Sequence, residues 1–342
     1  MPEKIQRRWP IDMDSMILAG ILVAILAFMG FALGDSFFNI RNISSMVSQI
    51  PEFAFLAMGM GVAMITGGID LSNVAAMNLS GIVLALCLTS SRLAGGVGIW
   101  GAILIGAVSA LLVGVACGVF NGLSISRFGI PPIIATLGSM LFFSGLGVGI
   151  TNGEGITGLP EQFTRLINMT IVELPPPFLF MLAVFVVMSI LAPRLTTGKT
   201  LYMYGSSRVA ALFTGLRIGK SLALGYALSG LFAAVSALIL VGRTNSIKVG
   251  YGDTYQLQAI LVVVLGGVNP DGGKGKFGNI LVAVLILQIL QNAFTLFMFT
   301  PYAKKLIWGG MLLAFMVVRT LLEKWSDRRK IRARMAQMAE GA

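Results

Sequence analysis

Apolar residues run through this chain in long blocks, and charge is confined almost entirely to the polar stretches between them. Windows free of Asp, Glu, Lys and Arg cover 15–34, 53–69, 71–91, 93–126, 128–153, 174–193, 221–242, 254–270, 277–303 and 306–318. A helix needs about 20 apolar residues to cross the hydrocarbon layer of a bilayer. All windows but the last approach or exceed that length. The last reaches it through Arg319, whose long side chain can snorkel to the interface. The pattern predicts an all-α, polytopic membrane protein with about ten transmembrane helices, organised as a single transmembrane domain over residues 1–342.

Composition agrees. Of the 342 residues, 56% are hydrophobic and 11% charged, against about 25% charged in soluble domains. The 42 glycines suit helices that pack closely in lipid. With the N-terminus inside and the segments alternating, 18 Lys and Arg fall inside and 7 outside, the latter being Arg41, Arg92, Arg165, Arg243, Lys248, Lys304 and Lys305. The positive-inside rule then predicts that both termini are cytoplasmic, as an even helix count requires. The net charge of +11 is read as this bias toward anionic membrane lipid, not as a nucleic-acid footprint. The basic run from Arg328 to Arg334 reads as an anchor in a cytoplasmic tail, about 323–342. The first apolar run is too long for a signal-peptide core, so no cleavable signal is expected.

Two connections are long enough to carry function. One, about 151–173, is expected outside. The other, about 194–220, is expected inside, where Arg208 to Phe213 forms a short amphipathic pattern bounded by Gly205 and Gly215. Small residues recur every fourth position at Ala102, Gly106, Ala110, Gly114, Gly118 and Gly122, and again at Gly225, Ser229, Ala233 and Ala237. That spacing lines one helix face and lets a neighbour approach. Gly67-Gly68-Ile69-Asp70 is echoed by Gly266-Gly267-Val268-Asn269, each followed by a further span. Paired Gly-interrupted segments mark transport sites built from broken helices.

Asp70 is the one charge between Phe53 and Ser91. Hydrocarbon cannot solvate a carboxylate, so its presence requires a purpose. Gly67 and Gly68 free the backbone, and Ser72 is placed to cap a new helix. The segment Gly67–Ser72 therefore reads as a helix break. Asp70 either binds H⁺ or Na⁺ in an ion-coupled carrier or accepts backbone N–H bonds at the break. The lack of an evident buried partner charge favours the second role. Glu52, Asp253 and Arg127 are the other ionisable groups near the spans.

Other chemistry is excluded. With no histidine there is no imidazole base, His-metal site or Ser-His-Asp triad. Cys87 and Cys117 sit in separate windows and read as packing residues. Neither Gly153–Gly158 nor Gly96–Gly101, both of the form G-x-G-x-x-G, lies in a strand–turn–helix unit. Gly272-Gly273-Lys274-Gly275 lacks the Ser/Thr and first Gly of a P-loop. No cofactor, no metal and no enzymatic activity are expected.

The ordered motifs resemble a known family. Gly67-Gly68-Ile69-Asp70-Leu71-Ser72 is similar to the signature of sugar-type ABC importer permeases, the ribose/xylose/arabinose/galactoside group related to branched-chain amino-acid permeases. Phe120-Asn121-Gly122, Ile130 to Met140, Gly205 to Leu216, Tyr255 to Ile260 and Val264-Leu265-Gly266-Gly267 follow in the family's order. The chain departs from its pattern at Asn73, Ser144, Ser207, Val209, Leu212, Gln256 and Gln258.

The resemblance implies a permease subunit of an ATP-driven importer in the bacterial cytoplasmic (inner) membrane. Its partners would be a cytoplasmic ATP-binding subunit, a second permease (identical or paralogous) and an external solute-binding protein delivering a monosaccharide or related polyol. It implies a helix break or translocation path at Gly67, Gly68, Asp70, Ser72, Asn73 and Asn121. It implies an ATPase coupling loop at Gly205, Arg208, Ala210, Ala211 and Gly215. Alternatives are an ion-coupled secondary carrier, or a permease for a nucleoside, an autoinducer-like sugar or a branched-chain amino acid.

Overall fold

Helices form where the apolar windows lie. The computed structural model describes residues 13–170, 174–317 and 321. Lys4, Arg7 and Arg8 and the tail about 323–342, with its run from Arg328 to Arg334, lie outside the described residues. The chain divides into two units, Met1–Met298 and Phe299–Ala342. In the first unit, α1 (Met13–Leu33), α2 (Asp35–Phe38), α3 (Ile40–Ile65), α4 (Asn73–Thr89), α5 (Ser91–Ser126) and α6 (Pro132–Thr151) come first. Then follow β1 (Ile156–Thr157), α7 (Glu161–Asn168), α8 (Pro176–Leu191), α9 (Thr196–Ser206) and α10 (Arg208–Leu212). The unit closes with α11 (Ile218–Thr244), β2 (Ser246–Ile247), α12 (Asp253–Leu265) and α13 (Phe277–Leu296). The second unit contains a helix over 301–317, α14, with Tyr302, Leu306 and Leu313 exposed.

The all-α polytopic architecture is observed. Six helices (α1, α3, α5, α6, α11 and α13) are long and apolar enough to cross a membrane. The α8–α9 pair, bent by 72°, makes a seventh if it counts as one span. Helices α4 and α12 are shorter, at 17 and 13 residues. Each apolar window falls on a helix, but window edges and helix ends differ. Helix α3 begins at Ile40, not near Phe53, and runs through Pro51 and Glu52. A charge-free window ends at Glu52, whereas the helix continues because that carboxylate is internally paired, as described below.

Helix α3 is the axis of the first unit. Its apolar window is 89% buried, against 11% for α1. Helix α11 packs beside it and also against α5. The small stripe of α5 makes the second contact possible: a side chain at Gly118 would overlap the Tyr226 carbonyl, and one at Gly230 the Gly114 carbonyl. The stripe at Gly225 and Ser229 faces elsewhere, toward α9 and α3, where Gly225 meets Leu201 and Val62. Helix α11 thus carries two small faces, and Ala223, Gly230 and Ala234 form the one against α5.

The described residues of both long connections contain secondary structure. Within 151–173, β1 pairs antiparallel with β2, Ile156 opposite Ile247, and α7 buries Phe163. Within 194–220 lie α9, α10 and the first residues of α11.

Candidate functional site

Helix α3 stops by a two-bond turn. The Gly67 amide donates to Met64 O at 2.9 Å and the Gly68 amide to Ala63 O at 3.4 Å. This pairing places a left-handed residue just past the helix end, a position suited to glycine, and Gly67 has φ 75°. The chain then runs without helical bonding to Ser72, and α4 begins at Asn73.

Asp70 lies in that interval, 2% exposed. Its Oδ1 accepts the Ser72 amide at 3.1 Å and the Ser72 hydroxyl at 2.7 Å. Its Oδ2 accepts the Ser229 hydroxyl of α11 at 2.8 Å. Among the described residues no Lys or Arg pairs with it. Asn121 of α5 donates its amide to the Ser72 hydroxyl at 2.6 Å. Gln256 of α12 donates to the Asp70 carbonyl at 3.1 Å, and Thr136 of α6 to the Ile69 carbonyl at 2.9 Å. Asn73 donates to the Leu56 carbonyl of α3 at 2.9 Å. Backbone groups freed at a break must be satisfied inside a membrane protein, and here side chains from neighbouring helices supply the bonds.

Ser72 corrects one expectation. It occupies the N-cap position of α4, but its side chain makes no capping bond. Capping needs an extended backbone at that residue, whereas Ser72 has φ −87° and ψ −5°. Its hydroxyl is held by Asp70 and Asn121 instead. Asp70 accepts one backbone N–H, and hydroxyls supply its other bonds.

A second turn repeats the first. The Gly267 amide donates to Val264 O at 3.0 Å and the Val268 amide to Val263 O at 3.1 Å, with Gly267 at φ 80°. The two turns belong to one junction. The Gly273 amide donates to the Ile65 carbonyl at 2.9 Å. Gly205, at the end of α9, sits between them: a side chain there would overlap both Ile65 O and Gly273 N. Tyr202 of α9 donates to the Gly275 carbonyl at 2.8 Å. Helix α10 follows, with Ser207 as a true N-cap whose hydroxyl accepts the Ala210 amide at 3.2 Å. Ala211 is buried, while Arg208, Val209, Ala210, Leu212, Phe213 and Gly215 are exposed. The Arg208 guanidinium lies 5.5 Å from the Tyr204 ring centre.

At the middle of α3, Glu52 is 1% exposed. Arg243 grips it with Nε to Oε2 at 2.9 Å and Nη2 to Oε1 at 2.8 Å. The Tyr255 hydroxyl adds a bond to Oε1 at 2.7 Å, and Ser236 donates to the Glu52 carbonyl. Arg243, counted above among the charges expected outside, is therefore the partner of a buried acid. Charge position alone did not reveal this, because the partners are 191 residues apart.

The structure thus brings Gly67, Gly68, Asp70, Ser72, Asn73 and Asn121 together and adds Ser229, Gln256 and Thr136. The signal for Ser229 was a polar residue inside a small-residue stripe. Three acceptors around the break, Asn73 Oδ1, Asn121 Oδ1 and Gln256 Oε1, are buried without a hydrogen-bond partner among the described residues. No three His, Cys, Asp or Glu side chains cluster as a metal site among those residues.

Broken helices that meet at a buried polar node, in an apolar helical fold, define a multi-pass membrane transport protein. The chain belongs to the family described as branched-chain amino acid transport system / permease component, whose profile matches residues 42–316. It is 32% identical over 287 residues to the ribose import permease protein RbsC of Bacillus subtilis strain 168, covering 82% of this chain and 85% of that one. It is 27% identical over 304 residues to the D-allose transport system permease protein AlsC of Escherichia coli strain K12, covering 89% and 91%. It is also 29% identical over 328 residues to the autoinducer 2 import system permease protein LsrD of Yersinia enterocolitica, covering 92% and 96%. No solved structure matches. The chain is a permease of the sugar-type ABC importer group and not itself an enzyme.

Proposed function

We propose that this chain is the membrane-spanning subunit of an ATP-driven importer for a monosaccharide or related polyol in the bacterial cytoplasmic membrane. It spans with about ten helices and both termini inside. An external binding protein delivers the solute, a second permease completes the path, and a cytoplasmic ATPase docks on α10. The observation that carries the reading is the glycine junction. Gly205, three residues before α10, bears on the carbonyl of Ile65, the last residue of α3. Movement at α10 would thus reach the Asp70 break through backbone contacts. The relatives named for ribose and D-allose favour a sugar over an amino acid. The unpaired acceptors of Asn73, Asn121 and Gln256 suit a solute rich in hydroxyl donors. The hydroxyl bonds of Asp70 favour a structural role over ion coupling.

Reconstitution in vesicles with a cognate ATPase and binding protein tests this. Labelled ribose uptake is expected only with all components and ATP inside the compartment that the ATPase faces. Uptake that persists without the ATPase, driven by a proton or sodium gradient, overturns it.

A further inference from the structure

Helix α12 is a short rod between glycine joints. Gly250 and Gly252 lie just before it and Gly267 just after it, at φ 89°, 71° and 80°, a region open to glycine and strained for other residues. The rod runs parallel to the second half of α3. Tyr255 meets Glu52 near its start, and Val263 near its end would touch a side chain at Gly61. Two adjacent residues of its first turn bind it to both buried acid nodes. The Tyr255 hydroxyl donates to Glu52 Oε1 at 2.7 Å, and Gln256 Nε2 donates to the Asp70 carbonyl at 3.1 Å. The Tyr255 ring also packs edge-on against Phe53, with ring centres 5.8 Å apart.

With these bonds made, the break is closed. Asp70 and Asn73 are 2% exposed, Ser72 and Asn121 1%, and the unpaired acceptors of Asn73, Asn121 and Gln256 are buried. A solute can use those acceptors only if the break is displaced, and α12 has the joints for such a movement. Gln256 takes part on both sides of that event. Its nitrogen holds the break, while its Oε1 is free to accept from a hydroxyl.

We propose that Tyr255 and Gln256 are positioning residues that latch the Asp70 break closed until solute arrives. A solute hydroxyl that donates to Gln256 Oε1 draws the amide away and frees the Asp70 carbonyl. The latch presupposes the importer proposed above. Because the end of α3 meets Gly205 at the Ile65 carbonyl, a break that opens without solute should let the ATPase turn over without it.

Tyr255→Phe keeps the ring and removes the hydroxyl. Gln256→Met keeps the length and removes the donor. Each deletes one hydrogen bond from the closed arrangement and should raise its opening about 5-fold. Hydrogen–deuterium exchange on the full-length chain in detergent should then speed about 5-fold at the amides of 66–72 and stay unchanged in α1. In vesicles holding the cognate ATPase and binding protein, ATP hydrolysis without solute should rise by the same factor. Tyr251→Phe, which removes a hydroxyl paired with Ser246 and with neither acid, should alter neither measurement. If one latch variant fails to fold, the other carries the test. Wild-type vesicles without ATP-dependent uptake would overturn the importer and the latch with it. Wild-type uptake with unchanged solute-free hydrolysis in the variants would overturn the latch alone. Exchange that speeds throughout the chain would also overturn it, by showing a structural role only.

Discussion

The Arg243 guanidinium holds both carboxylate oxygens of Glu52, at 2.9 and 2.8 Å, and so ties the last turn of α11 to the middle of α3. Removing one member of a buried pair leaves the other charge unsatisfied. Glu52→Gln should destabilise the protein by about 3 kcal/mol. The double variant Glu52→Gln/Arg243→Gln should cost less than the sum of the single changes. Thermal unfolding in detergent, arranged as a double-mutant cycle, measures the coupling, and additive losses would show that the pair contributes nothing.

Asp70→Asn preserves shape but turns one of the two accepting oxygens into an amide donor, so a bond from Ser72 or Ser229 must reverse or be lost. The expected loss is about 1–3 kcal/mol of stability. If the carboxylate is structural, the residual uptake of the variant stays ATP-dependent and indifferent to a proton gradient. Complete loss of uptake at an unchanged melting temperature would instead mark Asp70 as part of the transport chemistry.

Gly205→Ala tests the junction. A methyl group there has only rigid backbone, Ile65 O and Gly273 N, to displace. Overpacking costs about 1–3 kcal/mol. Because the strain falls between α9 and α3, ATP hydrolysis by the docked ATPase should no longer respond to the binding protein, while the permease still assembles. Normal stimulation and uptake by this variant would remove the junction from the transmission path.

Phe213 lies just past α10 and is 87% exposed. Its replacement by Ser should leave the stability of the isolated permease within about 0.5 kcal/mol. If α10 is the docking element, the same change should weaken capture of the ATPase by about 2 kcal/mol, as for an aromatic anchor. Co-purification and melting curves separate the two effects.

Much of this site was legible because the break is local. Two glycines, one acid and two polar residues stand together in sequence, and lipid makes each of them conspicuous. The echo at Gly266-Gly267 was also visible, and the repeated helix-ending turn gives it a backbone basis. What escaped were pairings over distance. Glu52 looked like the border of a span because its partner is in α11. Ser229 looked like a packing residue because its hydroxyl partner is 159 residues away. The capping role given to Ser72 failed because local rules could not weigh the competing demand of Asp70. Helix α9 was hidden by the polar content of 194–220, whereas the amphipathic pattern from Arg208 to Phe213 had marked α10.

The bond from Ser229 to Asp70 also sets a clock. The two residues are 159 positions apart, so at about 5–20 residues per second the ribosome needs roughly 8–30 s to deliver the second after the first. Throughout that interval the newly inserted acid lacks the α11 donor that will share its charge. The nascent amino-terminal helices must therefore tolerate a provisional neighbour, water or another protein, until α11 arrives. The final closure of the core is a late event in biogenesis.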